Sequence, residues 1–259
     1  IVWLTGASSG IGEALVKALA KEGAKLVLSA RREQELQAVA NNAQLATGSY
    51  MILPLDLADQ SNFEAKKNEV MAKFGRIDVV INNGGISQRS LAKDTSLDVD
   101  RKLMEVNYFG TVGISKVVLP HMLAQKDGML VSISSAVGKF GSPWRSGYSA
   151  SKHALHGFFD SLRAEVYNDN VRALIVCPGF IQTNVSKNAL TGTGEKLGTM
   201  DTATENGLTA DDCANQIVAA IKAEKEEVVI GGAKEKFGVC MKRHFPAIFS
   251  NMIRKMAVR

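Results

Sequence analysis

Tyr148 and Lys152 stand four residues apart in Tyr148-Ser149-Ala150-Ser151-Lys152. On a helix that spacing puts both on one face, a turn apart. A phenol titrates near about 10 and is too weak a base for neutral pH, but a neighbouring ammonium favours its phenolate. Each unit of lowering needs about 1.4 kcal/mol, so a useful shift demands a partly desolvated site with further positive charge. The plain alternative is a solvated surface pair. Ser134 and Ser135 precede this segment at the end of an apolar run, and Asn107 lies in Val106-Asn107-Tyr108-Phe109-Gly110 within a long apolar helical stretch. A buried amide there must find partners, either in the core or at the same centre.

A second group of residues is suited to holding a nucleotide. Thr5-Gly6-Ala7-Ser8-Ser9-Gly10-Ile11-Gly12 joins a strand-like run to a helical one. Its glycines permit a tight turn and let a pyrophosphate approach backbone N–H groups at a helix N-terminus. The spacing is G-x-x-x-G-x-G, which differs from the usual dinucleotide fingerprint. The next apolar run ends Leu28-Ser29-Ala30-Arg31-Arg32, where an acid would bind the adenosine ribose hydroxyls. Two guanidinium groups stand there instead. Arg31, helped by Arg32, is expected to bind a 2′-phosphate, making the cofactor NADP(H) before NAD(H). Asp56-Leu57 follows the third run, and the carboxylate either accepts from the adenine amino group or caps the next helix. Asn82-Asn83-Gly84-Gly85 ends the fourth and suggests close backbone approach to a ligand.

The elements that must position these groups alternate. Apolar runs at 1–4, 25–29, 50–55, 79–82, 129–134, 171–177 and 227–230 read as buried strands. Helical periodicity fills 10–22, 32–46, 60–74, 97–124, 148–168 and 209–224. Gly23 and Gly75 fall just past helix ends, and Pro120 lies inside a helical stretch. The pattern predicts an α/β fold: a doubly wound parallel sheet of about seven strands in three α/β/α layers, a Rossmann fold. Residues 1–232 are expected to form a single domain and 233–259 a basic amphipathic extension. Residues 184–207, rich in Gly, Thr and small polar side chains, read as a substrate lid.

These motifs, with Pro178-Gly179-x-x-x-Thr183, occur in order along nearly the whole domain. The chain resembles a single-domain short-chain dehydrogenase/reductase. The resemblance implies hydride transfer between nicotinamide and a carbonyl or alcohol carbon. By match, Tyr148 is the general acid/base, and Ser135, thirteen residues earlier, hydrogen-bonds the carbonyl oxygen. Lys152 lowers the tyrosine pKa and holds the nicotinamide ribose, and Asn107 anchors a water that links Lys152 to bulk proton exchange. Gly6, Ser8, Ser9, Gly10, Ile11, Gly12, Arg31, Arg32, Asp56, Leu57, Asn83, Gly84, Pro178, Gly179, Ile181 and Thr183, with Tyr148 and Lys152, make up the expected cofactor contacts. One departure is Gly84-Gly85, where the family more often has Ala-Gly. The missing methyl is expected to loosen that turn slightly.

Composition bounds the rest. The 259 residues are 46% hydrophobic and 22% charged, which excludes general disorder. There is no apolar run of roughly 18 residues or more, so no ordinary membrane-spanning helix is expected. The net charge of +5 resides in residues 234–259, which carry +6 and leave −1 elsewhere. A nucleic-acid partner is therefore not indicated. Cys177, Cys213 and Cys240 are few, odd in number and far apart, which suits a reducing, cytoplasmic compartment. The chain opens on Ile1 inside a strand-like run, so upstream residues and a targeting segment stay open.

His153 and His156 have no suitably spaced third ligand, and no metal is expected. Phe140 and Trp144 either line a substrate pocket or simply pack. In the tail Phe237, Val239, Met241, Phe245, Ile248, Phe249, Met252, Ile253 and Met256 interleave with basic residues, Arg259 included. That segment either packs on the domain or a partner subunit, or lies on an anionic membrane surface. Leu155, Phe158, Phe159, Leu162 and Val166 cover more than one face of their helix, which suggests a homodimer or homotetramer. The leading reading is an NADP(H)-dependent oxidoreductase acting on a small carbonyl or secondary alcohol. The alternatives are a catalytically silent cofactor-binding regulator, or a membrane-associated reductase of lipid carbonyls. A nucleotide-sugar epimerase would need a larger C-terminal domain.

Overall fold

Among the described residues seven short strands pair in parallel in the order β3-β2-β1-β4-β5-β6-β7. They are β1 (Val2–Thr5), β2 (Leu26–Ser29), β3 (Tyr50–Ile52), β4 (Val79–Asn82), β5 (Gly128–Ile133), β6 (Val171–Pro178) and β7 (Glu227–Ile230). The helices are α1 (Gly10–Lys21), α2 (Glu33–Asn42), α3 (Phe63–Phe74), α4 (Leu97–Met104), α5 (Gly110–Gln125), α6 (Ser146–Glu165), α7 (Thr202–Glu205), α8 (Ala210–Lys222), α9 (Ala233–His244) and α10 (Pro246–Ile253). The computed structural model describes residues 1–255; Met256 and Arg259 lie outside the described residues. Among the described residues no helix is long and apolar enough to cross a membrane.

Side chains leave a strand alternately on opposite faces, and the two cores follow from that. Leu4, Leu28, Ile81, Val131 and Leu174 point to one side and pack with Leu15, Leu36 and Ile217 of α1, α2 and α8. Their neighbours Trp3, Val27, Val80, Leu130 and Ala173 point to the other and pack with Phe63, Val118 and Phe159 of α3, α5 and α6. Both faces are covered, so the strands are apolar throughout instead of alternating with polar residues.

The stretch read as one helix over 97–124 is interrupted. A five-residue π-helical turn, Glu105–Phe109, separates α4 from α5 and carries Asn107, while α5 continues through Pro120. One extra residue per turn leaves an apolar pattern almost unchanged, so periodicity does not reveal it. Gly75 closes α3 in the left-handed region at φ 75°, as its place past the helix predicts.

Most of the apolar side chains singled out on α6 pack within the chain. Leu155, Phe159, Leu162 and Val166 are buried in the core beside α5 and β6, and Phe158 packs against the same cluster. The four buried side chains account for most of the apolar pattern within one chain, because the pattern shows that a face is apolar and not what covers it.

Strand order reverses between β1 and β4, which opens a crevice beyond their carboxyl ends. The glycine turn sits there. A Cβ on Gly12 would stand 2.0 Å from the Gly6 carbonyl oxygen, and one on Gly6 (φ 64°) would stand 2.7 Å from Gly84 Cα. Backbone is the obstacle in both cases. Gly12→Ala is expected to cost about 3 kcal/mol or more in urea unfolding. Gly23→Ala, which meets open space and only the strain of φ 74°, is expected to cost about 1 to 2 kcal/mol.

Candidate active site

A cavity of about 890 Å³ runs along the carboxyl edge of the sheet. Its wall includes Gly6, Ser8, Ser9, Gly10, Ile11, Arg31, Arg32, Asp56, Leu57, Asn83 and Gly84 from the β1, β2, β3 and β4 ends. Ser135, Tyr148, Lys152, Pro178, Gly179, Ile181 and Thr183 line it from β5, α6 and the chain after β6. Two expected residues stand behind the wall. Gly12 is where its missing side chain lets the turn close, and Asn107 is fully buried.

The turn is tied across the crevice. Thr5 Oγ1 accepts from the backbone N–H groups of Asn83 at 3.1 Å and Gly84 at 3.0 Å. Asn83 Nδ2 donates to the Thr5 and Gly6 carbonyls at 3.2 and 3.1 Å. The methyl absent at Gly84 does not leave slack, contrary to expectation: Leu57 Cδ1 stands 2.5 Å from the point a Cβ would take. At the β2 end, Arg32 is paired with Glu35, its Nη2 donating at 2.6 Å, while Arg31 lines the cavity without that partner. Asp56 Oδ1 accepts from Ala58 N–H at 3.0 Å, and the helical cap falls to Asp59, which accepts from Ser61 N–H.

Deeper in the cavity, the N-terminus of α6 presents Tyr148. The orphan N–H groups of that terminus need acceptors. The buried Gln88 supplies one, its Oε1 accepting from Gly147 at 2.9 Å and Tyr148 at 3.2 Å. Asn107 links the loop after β4 to the same helix. Its Oδ1 accepts from Ile86 N–H at 2.8 Å, and its Nδ2 donates to Ile86 O at 3.0 Å and Ser151 Oγ at 2.9 Å. All of these bonds go to protein, so the Asn107 side chain positions the loop after β4 against α6. A Cβ on Gly85 would stand 3.0 Å from Asn107 Oδ1 and 3.5 Å from Lys152 Nζ, so a bare backbone is needed beside that pair.

The electrostatics differ from the simple Tyr–Lys picture. Burial pushes the Tyr148 phenol above its ordinary pKa, while a hydrogen bond with Ser135 and the charges of Arg89 and Arg145 pull it down. Lys152 Nζ donates to the Ile133 carbonyl at 2.8 Å and stands 5.8 Å from the Tyr148 ring centre. Burial lowers its pKa to about 8. Two arginines that the motif reading did not include thus add positive charge at the phenol. Arg145 lies three residues before Tyr148, and Arg89 lies on the loop after β4, outside any recognisable spacing. Of the two serines, Ser135 faces Tyr148. Ser134 turns inward, donating to the Lys152 carbonyl at 3.3 Å and contacting His156 Nε2 at 3.0 Å.

The tail closes one side. Phe249 is buried against the Phe140 ring, 5.0 Å between centres, and Phe237, Gly238, Met252 and Ile253 join the cavity wall. Helix α9 reaches Gly179, where a Cβ would strike Glu235 Cγ at 2.6 Å. Phe237, Phe245 and Ile248 remain exposed. Of the two aromatics between Ser135 and Tyr148, Phe140 lines the cavity and Trp144 is not part of its wall. The segment over 184–207 folds mostly as turns with the short helix α7, and Asn184, Val185, Asn188 and Leu190 face the cavity.

Residues 1–193 match the family model described as short chain dehydrogenase. A "Dehydrogenase/reductase SDR family protein 7-like" of Anopheles gambiae is 44% identical over 99% of this chain and 83% of its own length. The human "Dehydrogenase/reductase SDR family member 7" is 45% identical over 89% of this chain and 69% of its own. Among solved structures, a short-chain dehydrogenase from Streptomyces avermitilis superposes with a TM-score of 0.82 at 28% identity, covering 97% of this chain and 95% of that one. An alcohol dehydrogenase from Thermococcus sibiricus, complexed with 5-hydroxy-NADP, gives 0.76 at 26% identity over 90% of this chain and 96% of that one.

Behind the site, His156 is buried among Ser134, Cys177, Lys139 and Glu227. Burial, with the Lys139 charge, drops its pKa to about 4 from 6.5, against the opposing pull of Glu227 and Asp160. As pH falls through 6.5 the unfolded chain takes up a proton that the folded chain refuses until about 4, so stability is lost across that window. His156→Gln is expected to flatten this part of the stability–pH curve in urea melts taken across it.

Proposed function

The chain belongs to the short-chain dehydrogenase/reductase family and is an oxidoreductase, and on that premise we propose that it interconverts a carbonyl and a secondary alcohol with NADP(H). The observation that carries the reading is the convergence of Tyr148, Ser135 and Lys152 on the same cavity that the glycine turn lines. When bound, the nucleotide supplies or accepts the hydride.

The cradle fits such a group. Gly6, Gly10 and Gly84 leave backbone exposed where side chains would fill the crevice, and a Cβ on Gly10 would stand 3.0 Å from Thr183 Cγ2. Arg31 is the guanidinium at the β2 end that has no carboxylate partner among the described ion pairs, which suits a 2′-phosphate. Arg32 stands beside it already paired with Glu35 and is its auxiliary. Asp56, with Oδ1 committed to its own turn, would border the adenine.

In reduction Ser135 donates a hydrogen bond to the carbonyl oxygen and Tyr148 gives that oxygen its proton. The phenolate left behind is stabilised by the Arg89 and Arg145 charges. Lys152, held by the Ile133 carbonyl, stands one helical turn away to hold the nicotinamide ribose and to help return the proton. Asn107 fixes the spacing between the loop after β4 and α6. Residues 184–207 close over the substrate, whose apolar part meets Phe140, Phe180 and Leu190.

A screen of ketones with NADPH and NADH, following the absorbance of the reduced nicotinamide, tests the reading. NADPH should give the larger kcat/KM, and Arg31→Ala should narrow the preference. Tyr148→Phe should lower kcat/KM for the best ketone by about a hundredfold or more. A preference for NADH, or a Tyr148→Phe rate near that of the wild type, would reject the corresponding part.

A further inference from the structure

Arg145 is only 3% exposed, yet it forms part of the wall of the cavity that holds Tyr148 and Ser135. A buried guanidinium is costly to keep unless its charge and its five N–H donors are matched. Here they are poorly matched. Nη1 reaches Ser142 Oγ at 3.5 Å, the limit of a hydrogen bond, and the group lies over the Phe180 ring, 5.6 Å from its centre.

The neighbouring charges do not supply the deficit. One carboxylate, Asp201, serves two arginines, and it is already committed. Its Oδ2 accepts from Arg89 Nη2 at 2.8 Å and Nε at 3.2 Å, and its Oδ1 caps α7 by accepting from Thr204 N–H at 2.7 Å. Arg145 Nη2 remains 3.7 Å from Oδ2. Arg89 Nη1 donates to Ser87 Oγ and the Gln88 carbonyl, both at 2.8 Å. The trio Arg89–Asp201–Arg145 thus carries one surplus positive charge, and it belongs to Arg145. Its place is fixed by a parallel bridge between Ser90 and Arg145, and it opens the helix that presents Tyr148.

We propose that Arg145 is an oxyanion receptor in the substrate half of the cavity, and that the chain's preferred substrates are ketones carrying an acidic group beside an apolar body. A planar guanidinium is suited to a bidentate, charge-assisted bond with such a group; Phe180 lies beside it, and Phe140, Val185 and Leu190 line the same cavity. The substrate class rests on the reading of the chain as a carbonyl reductase; the anion site does not.

The ortho, meta and para acetylbenzoates, each compared with its acetylbenzamide, test the substrate class in the wild-type protein with NADPH. The best acid should exceed its amide in kcat/KM by about tenfold or more. Arg145→Gln should collapse that ratio, and Arg145→Lys should keep part of it. Calorimetry of benzoate and benzamide with the protein–NADP⁺ complex tests the anion site without turnover: benzoate should bind about tenfold tighter, and the difference should vanish in Arg145→Gln. Acids and amides that perform alike in the wild type, in rate and in binding, overturn the proposal while leaving ketone reduction intact. Equal losses on acid and amide in Arg145→Gln, with a shifted pH profile, overturn it in favour of a role through Tyr148 alone. Arg145-dependent benzoate binding without turnover of any ketone upholds the anion site and defeats the reductase reading.

Discussion

A phenol set into the cavity wall imposes two opposed demands on this fold. Burial excludes water and raises the Tyr148 pKa, whereas the proton transfer proposed for it near neutrality would require its phenolate to be accessible. The protein answers with groups drawn from separate elements: Ser135 after β5, Arg89 after β4 and Arg145 at the head of α6. Lys152 is itself so buried that its pKa falls to about 8, and its ammonium is held by a backbone carbonyl. Those placements have to hold together, and much of the local structure serves that end. Gln88 caps α6 from the facing loop, and Asn107 stitches that loop to Ser151 one turn further along.

The sheet makes this convergence possible. Parallel strands deliver their carboxyl ends to one edge, and the reversal between β1 and β4 opens the crevice there. Glycines then set how closely the backbone segments approach: a side chain at Gly12 would meet the Gly6 carbonyl, and one at Gly85 would meet Asn107 and Lys152. The C-terminal helices add a side to the cavity, with Phe249 anchored on Phe140 and Glu235 against Gly179. The apolar side chains of the tail are thereby divided between a packed set that shapes the site and an exposed set that includes Phe245 and Ile248.

The strands were legible because a sheet covered on both faces must be apolar at every position, and their ends could be read to within about a residue or two for most of them. The glycine turn and the Tyr148–Lys152 spacing were legible because local geometry dictates both. Features built from distant segments left no such trace. Arg89 and Asp201 are 112 residues apart, and nothing local to either marks them as partners. Gln88 reads as an ordinary loop amide until α6 arrives above it. The faces of α6 carry a related lesson: an apolar pattern records burial and not the identity of the covering surface. At Gly84, the family comparison suggested a loosened turn, but Leu57 packs into the vacated space.

The balance at Tyr148 is open to direct measurement. The phenolate absorbance of the wild type, less that of Tyr148→Phe, isolates this tyrosine from the chain's three others. Titrated without nucleotide, Tyr148 should ionise above the ordinary value of about 10, and in Arg145→Gln its pKa should rise further. Ionisation at the ordinary value, unmoved by removal of the Arg145 charge, would contradict the account.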